Sequence, residues 1–300
     1  MLGGMRWGDR LRGLVWRGAL GAVLGLAVMA GPGVGRVWGA SKAQAEADGR
    51  AAPLTLEEVL KKLRANYQEY MRDVPNLFCD ERVLSEYGPY LTQLRPLHTV
   101  TDSVFRLQRV IGPDKRPDLK ESRQVKLVDG KAPTGDELTG PSILSGVFGA
   151  ALGMVVEGQT CLRFELKPHG PHFGPRRIEV DFQAVAKEVR PEGCTDRKMK
   201  GQVLIDPETM RIRRIELRVA DFEIFPEMLG QWTWWAEYDP VVLGGKPFWL
   251  PSRIYSEAVS YGEKRSIWTF DASYSNYHKM VTSAHILPGI TVEPEEQTHP

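Results

Sequence analysis

The chain lacks an apolar run of the roughly 18 to 20 residues that a bilayer-spanning helix needs. Its apolar run from Ala19 to Ala30 is cut short by Pro32 and the glycines around it. It also lacks a basic block. Its 39 lysines and arginines are spread among 38 aspartates and glutamates for a net charge of +1, which argues against nucleic acid as a partner. No G-x-S-x-G elbow, phosphate-binding glycine loop or H-E-x-x-H helix is present. Histidine is scarce, and His169 and His172 flank a Gly-Pro turn with no third ligand nearby, which excludes the usual metal-site pattern. The carboxylate pairs Asp221 and Glu223, or Glu227 and Glu237, read as solvated strand and loop positions. There are three cysteines, Cys79, Cys161 and Cys194, and none is flanked by a base that would activate a thiolate. In an oxidising compartment they allow one disulfide and one leftover thiol, in any of three pairings. These absences point to a protein that is not an enzyme and needs no cofactor or metal.

What is present begins with a targeting pattern. Arg6, Arg10, Arg12 and Arg17 precede the apolar run, and Ala40 and Ala43-Gln44-Ala45 supply the small residues that signal peptidase recognises. No cysteine near this site provides for lipidation. The expected organisation is a signal peptide over residues 1–45, a flexible polar leader over 46–53, a single domain over 54–290 and a disordered tail over 291–300. About 250 residues remain after cleavage, enough for one sizeable core.

From Thr55 the pattern is helical. Thr55 and Glu58 form a capping box, and Leu56, Val59, Leu60, Leu63, Tyr67 and Tyr70 recur at three- and four-residue spacing as one apolar stripe. Asp73 to Asn76 end the helix. Strand candidates follow at 77–87, 98–111, 119–128, 159–167 and 176–186. From Gly201 to Tyr277 short strands then succeed one another. Asp206-Pro207-Glu208-Thr209 makes a tight turn, and Ile215, Leu217 and Val219 alternate with Arg214, Glu216 and Arg218. Trp232, Trp234, Ala236 and Tyr238 share one face, as do Trp268, Phe270, Ala272 and Tyr274. Connections this short suit antiparallel neighbours in a meander. Between the two strand-rich regions, residues 141–156 are apolar on nearly all sides. This spacing predicts a buried helix, weakened by Gly146, Gly149 and Gly153 at about 1 kcal/mol each relative to alanine.

The run Gly201-Gln202-Val203-Leu204-Ile205-Asp206-Pro207-Glu208-Thr209 and the later Trp249-Leu250-Pro251 resemble the outer-membrane lipoprotein-sorting superfamily, across most of residues 55–285. The resemblance implies an α+β fold: an antiparallel β half-barrel, an N-terminal amphipathic helix, and an apolar helix covering the concave face. It implies a lipid or acylated protein as partner. Such a ligand would lie against Val147, Phe148 and Leu152 of the middle helix and Trp232, Trp234, Trp268 and Phe270 of the sheet. The alternative is a structural or interaction module of the cell envelope, its concavity filled by its own side chains. Either would be periplasmic or secreted, with peripheral association to the envelope. N-terminal sequencing of the expressed protein should find a chain starting after Ala45 in a soluble fraction. An intact Arg6-to-Ala30 segment on membrane-bound protein would refute this.

Overall fold

The computed structural model describes residues 5–6, 54–89, 97–112, 117–134, 142–143, 146–167, 177–192, 194, 197–225, 228–262 and 265–280. The expected signal peptide (apart from Met5 and Arg6), the leader, the turn with His169 and His172, Glu227 and the tail 291–300 lie outside the described residues. Helix α1 (Leu56–Asp73) starts on the expected capping box: the Glu58 amide donates to Thr55 Oγ1 at 3.3 Å, and the Thr55 amide to Glu58 Oε2 at 2.9 Å. Its Val59, Leu63 and Tyr70 are buried, as the apolar stripe requires. Strands β1 (Leu77–Pro89), β2 (Leu97–Ile111) and β3 (Pro117–Val128) follow. Helix α2 (Ala150–Glu157) comes next. The remaining strands are β4 (Leu162–Leu166), β5 (Ile178–Ala184), β6 (Met199–Ile205), β7 (Ile212–Phe225), β8 (Met228–Leu243), β9 (Lys246–Ser260) and β10 (Ser266–Lys279).

These ten strands form one sheet in the order β3-β2-β1-β10-β9-β8-β7-β6-β5-β4. Every pairing in it is antiparallel. A separate two-residue parallel ladder joins Met5–Arg6 to Ser142–Ile143. The expected meander is present in two runs, β1 to β3 and β4 to β10. They are joined where the first strand pairs with the last, along Leu77 to Pro89 and Ser266 to Lys279. Strands β3 and β4 are consecutive in the sequence yet form the two edges.

The register places the tryptophans. One row across the sheet reads Val219, Trp232, Ala258, Trp268 and Tyr87, and the next row on the same face reads Leu217, Trp234, Ser256, Phe270 and Ser85. Ala258 separates Trp232 from Trp268 in the first row and Ser256 separates Trp234 from Phe270 in the second, so these rings interdigitate rather than collide. Ser256 Oγ accepts the Trp232 indole N–H at 2.8 Å. The turn at Asp206 is built as its residues demand: Asp206 Oδ1 accepts the amides of Glu208 and Thr209 at 3.1 and 2.8 Å. These bonds hold the Asp206 carboxyl below its usual range.

Two contacts show that the sheet curls. Leu119 on β3 packs on Gly149, where an added Cβ would lie 3.1 Å from Leu119 Cδ1. The Tyr238 hydroxyl on β8 donates to the Val147 carbonyl at 3.0 Å. In the sheet order β3 and β8 are five spacings apart, roughly 24 Å in a flat sheet. Their side chains meet backbone atoms only two residues apart, so the sheet wraps around this segment as an unclosed half-barrel. One hydrophobic cluster spans both helices and the strands.

Of the tryptophans on the strands, Trp232, Trp234 and Trp268 are buried, whereas Trp235, on the other side of the sheet, and Trp249, packed at the margin of the core, are only half-buried. In a Trp235→Phe/Trp249→Phe variant of the mature chain, acrylamide should quench the remaining fluorescence several-fold less than in the unfolded chain. Free quenching in the folded state would contradict this facing.

Candidate functional site

The candidate site is the concave face of the sheet together with the segment that fills it. Residues 146–148 lead into α2, and the expected helix over 141–156 is corrected here to Ala150–Glu157. The reason lies in the backbone. Gly146 has φ of +88°, outside the helical region and accessible to glycine without strain. The amides of Gly146 and Phe148 donate to the Glu121 carboxylate at 2.7 and 3.2 Å. Val147 and Phe148 therefore sit in the turn before the helix rather than on it. Gly149 and Gly153 also have a packing role. Gly149 admits Leu119, and at Gly153 a Cβ would come within 2.7 Å of the Tyr67 hydroxyl of α1. A Cβ at either place would push these side chains aside, so both glycines act as contact points for β3 and α1.

The Phe148 ring stacks on Phe105 of β2 with centroids 4.5 Å apart. Tyr274 of β10 meets both rings edge-on at 5.4 and 5.6 Å. Val147, Phe148, Leu152, Trp232, Trp234, Trp268 and Phe270, the residues expected to receive a ligand, are all buried in one cluster. They divide into two groups. Trp232 and Trp234 have rings 6.4 Å apart, and Trp268 lies against Tyr87 at 5.2 Å. Phe148 makes its ring contacts with Phe105, Tyr274 and Tyr277.

Within this apolar interior lies a polar cluster that the motif reading missed. Glu81 of β1 is fully buried, and Arg123 of β3 reaches it with Nε at 2.9 and 2.8 Å from the two carboxylate oxygens. The Tyr274 hydroxyl donates to the same carboxylate at 2.7 Å, and the Arg123 guanidinium lies 5.1 Å over the Phe105 ring. Burial raises the Glu121 carboxyl above its usual range, against the lowering effect of Arg123 and of the two amides. A signal was available. Leu77, Cys79, Glu81 and Val83 occupy alternate positions, so a carboxylate stands on the apolar face of its strand.

A cavity of about 40 Å³ lies between α1, α2 and the β6–β7 turn, lined by residues including Tyr67, Tyr70, Leu152 and Tyr238. Small-molecule pockets run to roughly 300 to 1,000 Å³, so this cavity is far smaller than a ligand pocket, and the residues expected to receive a ligand pack on one another in the core. Cys161 and Cys194 form the disulfide, with Cα atoms 5.4 Å apart. Cys79 is a buried thiol whose pKa burial pushes up to about 12, so at neutral pH it holds no appreciable thiolate. Asp221 pairs with Lys198 at 3.1 Å and Glu237 with Arg214 at 2.7 Å. Among the described residues no cluster of three or more metal-ligating side chains occurs, and no helix is long and apolar enough to cross a membrane.

Removing one partner of a buried ion pair leaves the other uncompensated, at about 3 to 5 kcal/mol. Arg123→Met should therefore lower the urea midpoint strongly. Glu81→Leu/Arg123→Met should recover much of the loss, because a pair replaced by apolar groups is often neutral. Equal midpoints for wild type and Arg123→Met would show that the pair is solvated.

No family model matches the chain, and no curated protein matches it. Among solved structures it is similar to a LolA superfamily protein from Nitrosomonas europaea, at 9% identity and a TM-score of 0.32, over 77% of this chain and 96% of that one. It is also similar to a DUF1329 family protein from Desulfovibrio piger, at 11% identity and a TM-score of 0.38, over 76% of this chain and 95% of that one.

Proposed function

We propose that this is an exported envelope protein that shelters a lipid or acyl chain in its half-barrel, with residues 146–157 as a displaceable plug. The observation that carries the reading is the open seam. The sheet edges β3 and β4 do not pair with each other, and the plug lies against the concave face of the sheet between them. Six consecutive residues from Ala151 to Val156 are buried, yet α2 has no side-chain cap at its N-terminus and spans barely two turns. A helix this short holds its shape by packing rather than by intrinsic stability. An acyl chain that replaced the plug would meet Phe105, Trp234, Phe270 and Tyr274, a surface that matches its chemistry.

A second reading has its own support. A cavity of only about 40 Å³ is what a permanently self-filled structural module would show. One variant separates the two. In a permanent core, Phe148→Ala costs about 3 to 5 kcal/mol through lost transfer energy and the void left behind. Over a ligand site the loss should be well under half of that, and binding of an apolar dye such as N-phenyl-1-naphthylamine should increase. Native mass spectrometry of the purified wild type should then find co-purified lipid. A large drop in Tm with no dye or lipid bound to the wild type would reject the carrier reading.

A further inference from the structure

The backbone that leads into the plug is tied to the sheet through two side chains. Glu121 of β3 accepts the amides of Gly146 and Phe148 at 2.7 and 3.2 Å, and Tyr238 of β8 donates to the Val147 carbonyl between them at 3.0 Å. Two of these bonds therefore end on one titratable carboxylate. An ionised carboxylate accepts bonds roughly twice as strong as those between neutral groups. Among the described residues, the charged and titratable groups that face Glu121 are Arg123 beside it on β3, Glu81 of β1, Tyr274 of β10, Tyr238 of β8 and Tyr70 of α1. From β2, Leu107 stands opposite it. Arg123 Nε and the Tyr274 hydroxyl are engaged with Glu81. Burial raises the phenols of Tyr70, Tyr238 and Tyr274 far above their ordinary range, so they stay neutral.

A hydrocarbon chain has no N–H group, so one that displaced the plug would leave the Glu121 carboxylate without both amides. Building on the carrier reading, we propose that Glu121 is a proton-operated latch: its ionised carboxylate holds the plug, and displacement of the plug by an apolar ligand takes up a proton there. Linkage fixes the sign. The two amides favour the ionised form while the plug is in place, and that bias is lost when it leaves, so acid favours the displaced state. The effect begins above the usual carboxylate range, because burial has already raised Glu121 with the plug in place. A carboxyl raised by folding is itself no cause of acid unfolding, since the fold binds its proton more tightly than the unfolded chain does. Glu69, held down by its hydrogen bond from Lys246, and Asp206, held down by the Thr209 amide, lose their charge only at lower pH. Glu121 is partly exposed on an edge strand, which gives protons access to it.

The test is binding of N-phenyl-1-naphthylamine to the full mature chain from neutral to weakly acidic pH, with near-ultraviolet circular dichroism followed at each step. In wild type the affinity should rise as pH falls, by up to about tenfold per pH unit, the limit for one proton, while the aromatic dichroism holds. Calorimetry of the same binding in two buffers of different ionisation enthalpy should show proton uptake, a readout that needs no variant. Glu121→Gln, a neutral group of the same shape, should bind the dye at neutral pH about as tightly as wild type does in acid, with no pH dependence. Saturable binding of equal affinity at every pH without proton uptake, or a pH dependence that survives in Glu121→Gln, overturns the latch and leaves the carrier reading standing. Absence of dye binding at every pH overturns both. A rise in binding that comes with loss of the aromatic dichroism also overturns the latch, because the whole core has then loosened.

Discussion

The fold depends on one topological constraint: β3 and β4 follow each other in the chain but form opposite edges of a ten-stranded sheet. The connection between them has to cross the open seam. A connection inside a half-barrel must bury both its side chains and its backbone, and unpaired backbone groups there are costly. The sequence meets the first demand with an almost wholly apolar segment. It meets the second with groups from the surrounding strands: Glu121 accepts the amides of Gly146 and Phe148, and Tyr238 donates to the carbonyl of Val147. Glu121 is thereby drawn into the interior beside Arg123, which in turn neutralises Glu81. The polar cluster follows from threading a backbone through an apolar concavity.

Helix α1 closes one end of the half-barrel. Its ion pairs to the sheet are Lys246 to Glu69 and Asp73, at 3.0 and 2.6 Å, and Arg211 to Glu69, and Asn66 Nδ2 donates to the Met210 carbonyl at 2.7 Å. These groups are partly exposed, and pairs of that kind contribute about 0 to 1 kcal/mol each. The buried stripe of Val59, Leu63 and Tyr70 holds the helix, at about 1.5 to 3 kcal/mol for each fully buried large apolar side chain. The ion pairs set its register over the β6–β7 and β8–β9 turns. That register places Tyr67 against Gly153 and Tyr70 in the cavity wall.

Much of this architecture was legible in the sequence, and the parts that were not share a cause. The capping box at Thr55, the Asp206 turn and the alternation of Trp232, Trp234 and Tyr238 are local patterns, and local patterns report local structure. The start of α2 at Ala150 was not legible, because it is set by Glu121, a residue distant in sequence. The pairing of β1 with β10 joins the two ends of the domain and leaves no trace in either strand alone. The same holds for Cys161 with Cys194, whose proximity follows from the fold. Glu81 is the instructive miss. Its strand was expected at 77–87, but the alternation that sets a carboxylate between Cys79 and Val83, and with it the demand for a buried partner, was not drawn from the sequence.

The interior is thus dense in volume and incomplete in hydrogen bonding. Among the described residues the indole N–H of Trp234 and the hydroxyls of Tyr70 and Ser103 are buried with no hydrogen-bond partner, while the neighbouring Trp232 indole is paired to Ser256. Close packing and polar satisfaction are separate requirements, and a core under stability constraint alone meets both. Here the first is met by Val147, Phe148 and Leu152, side chains carried on a short and poorly capped segment. The second is left unmet on the sheet and on α1, and also at the Gln159 amide just past α2. The shortfall is spread over sheet and helical segments alike, at about 1 to 3 kcal/mol for each buried unpaired group, and close packing around those groups is set against it.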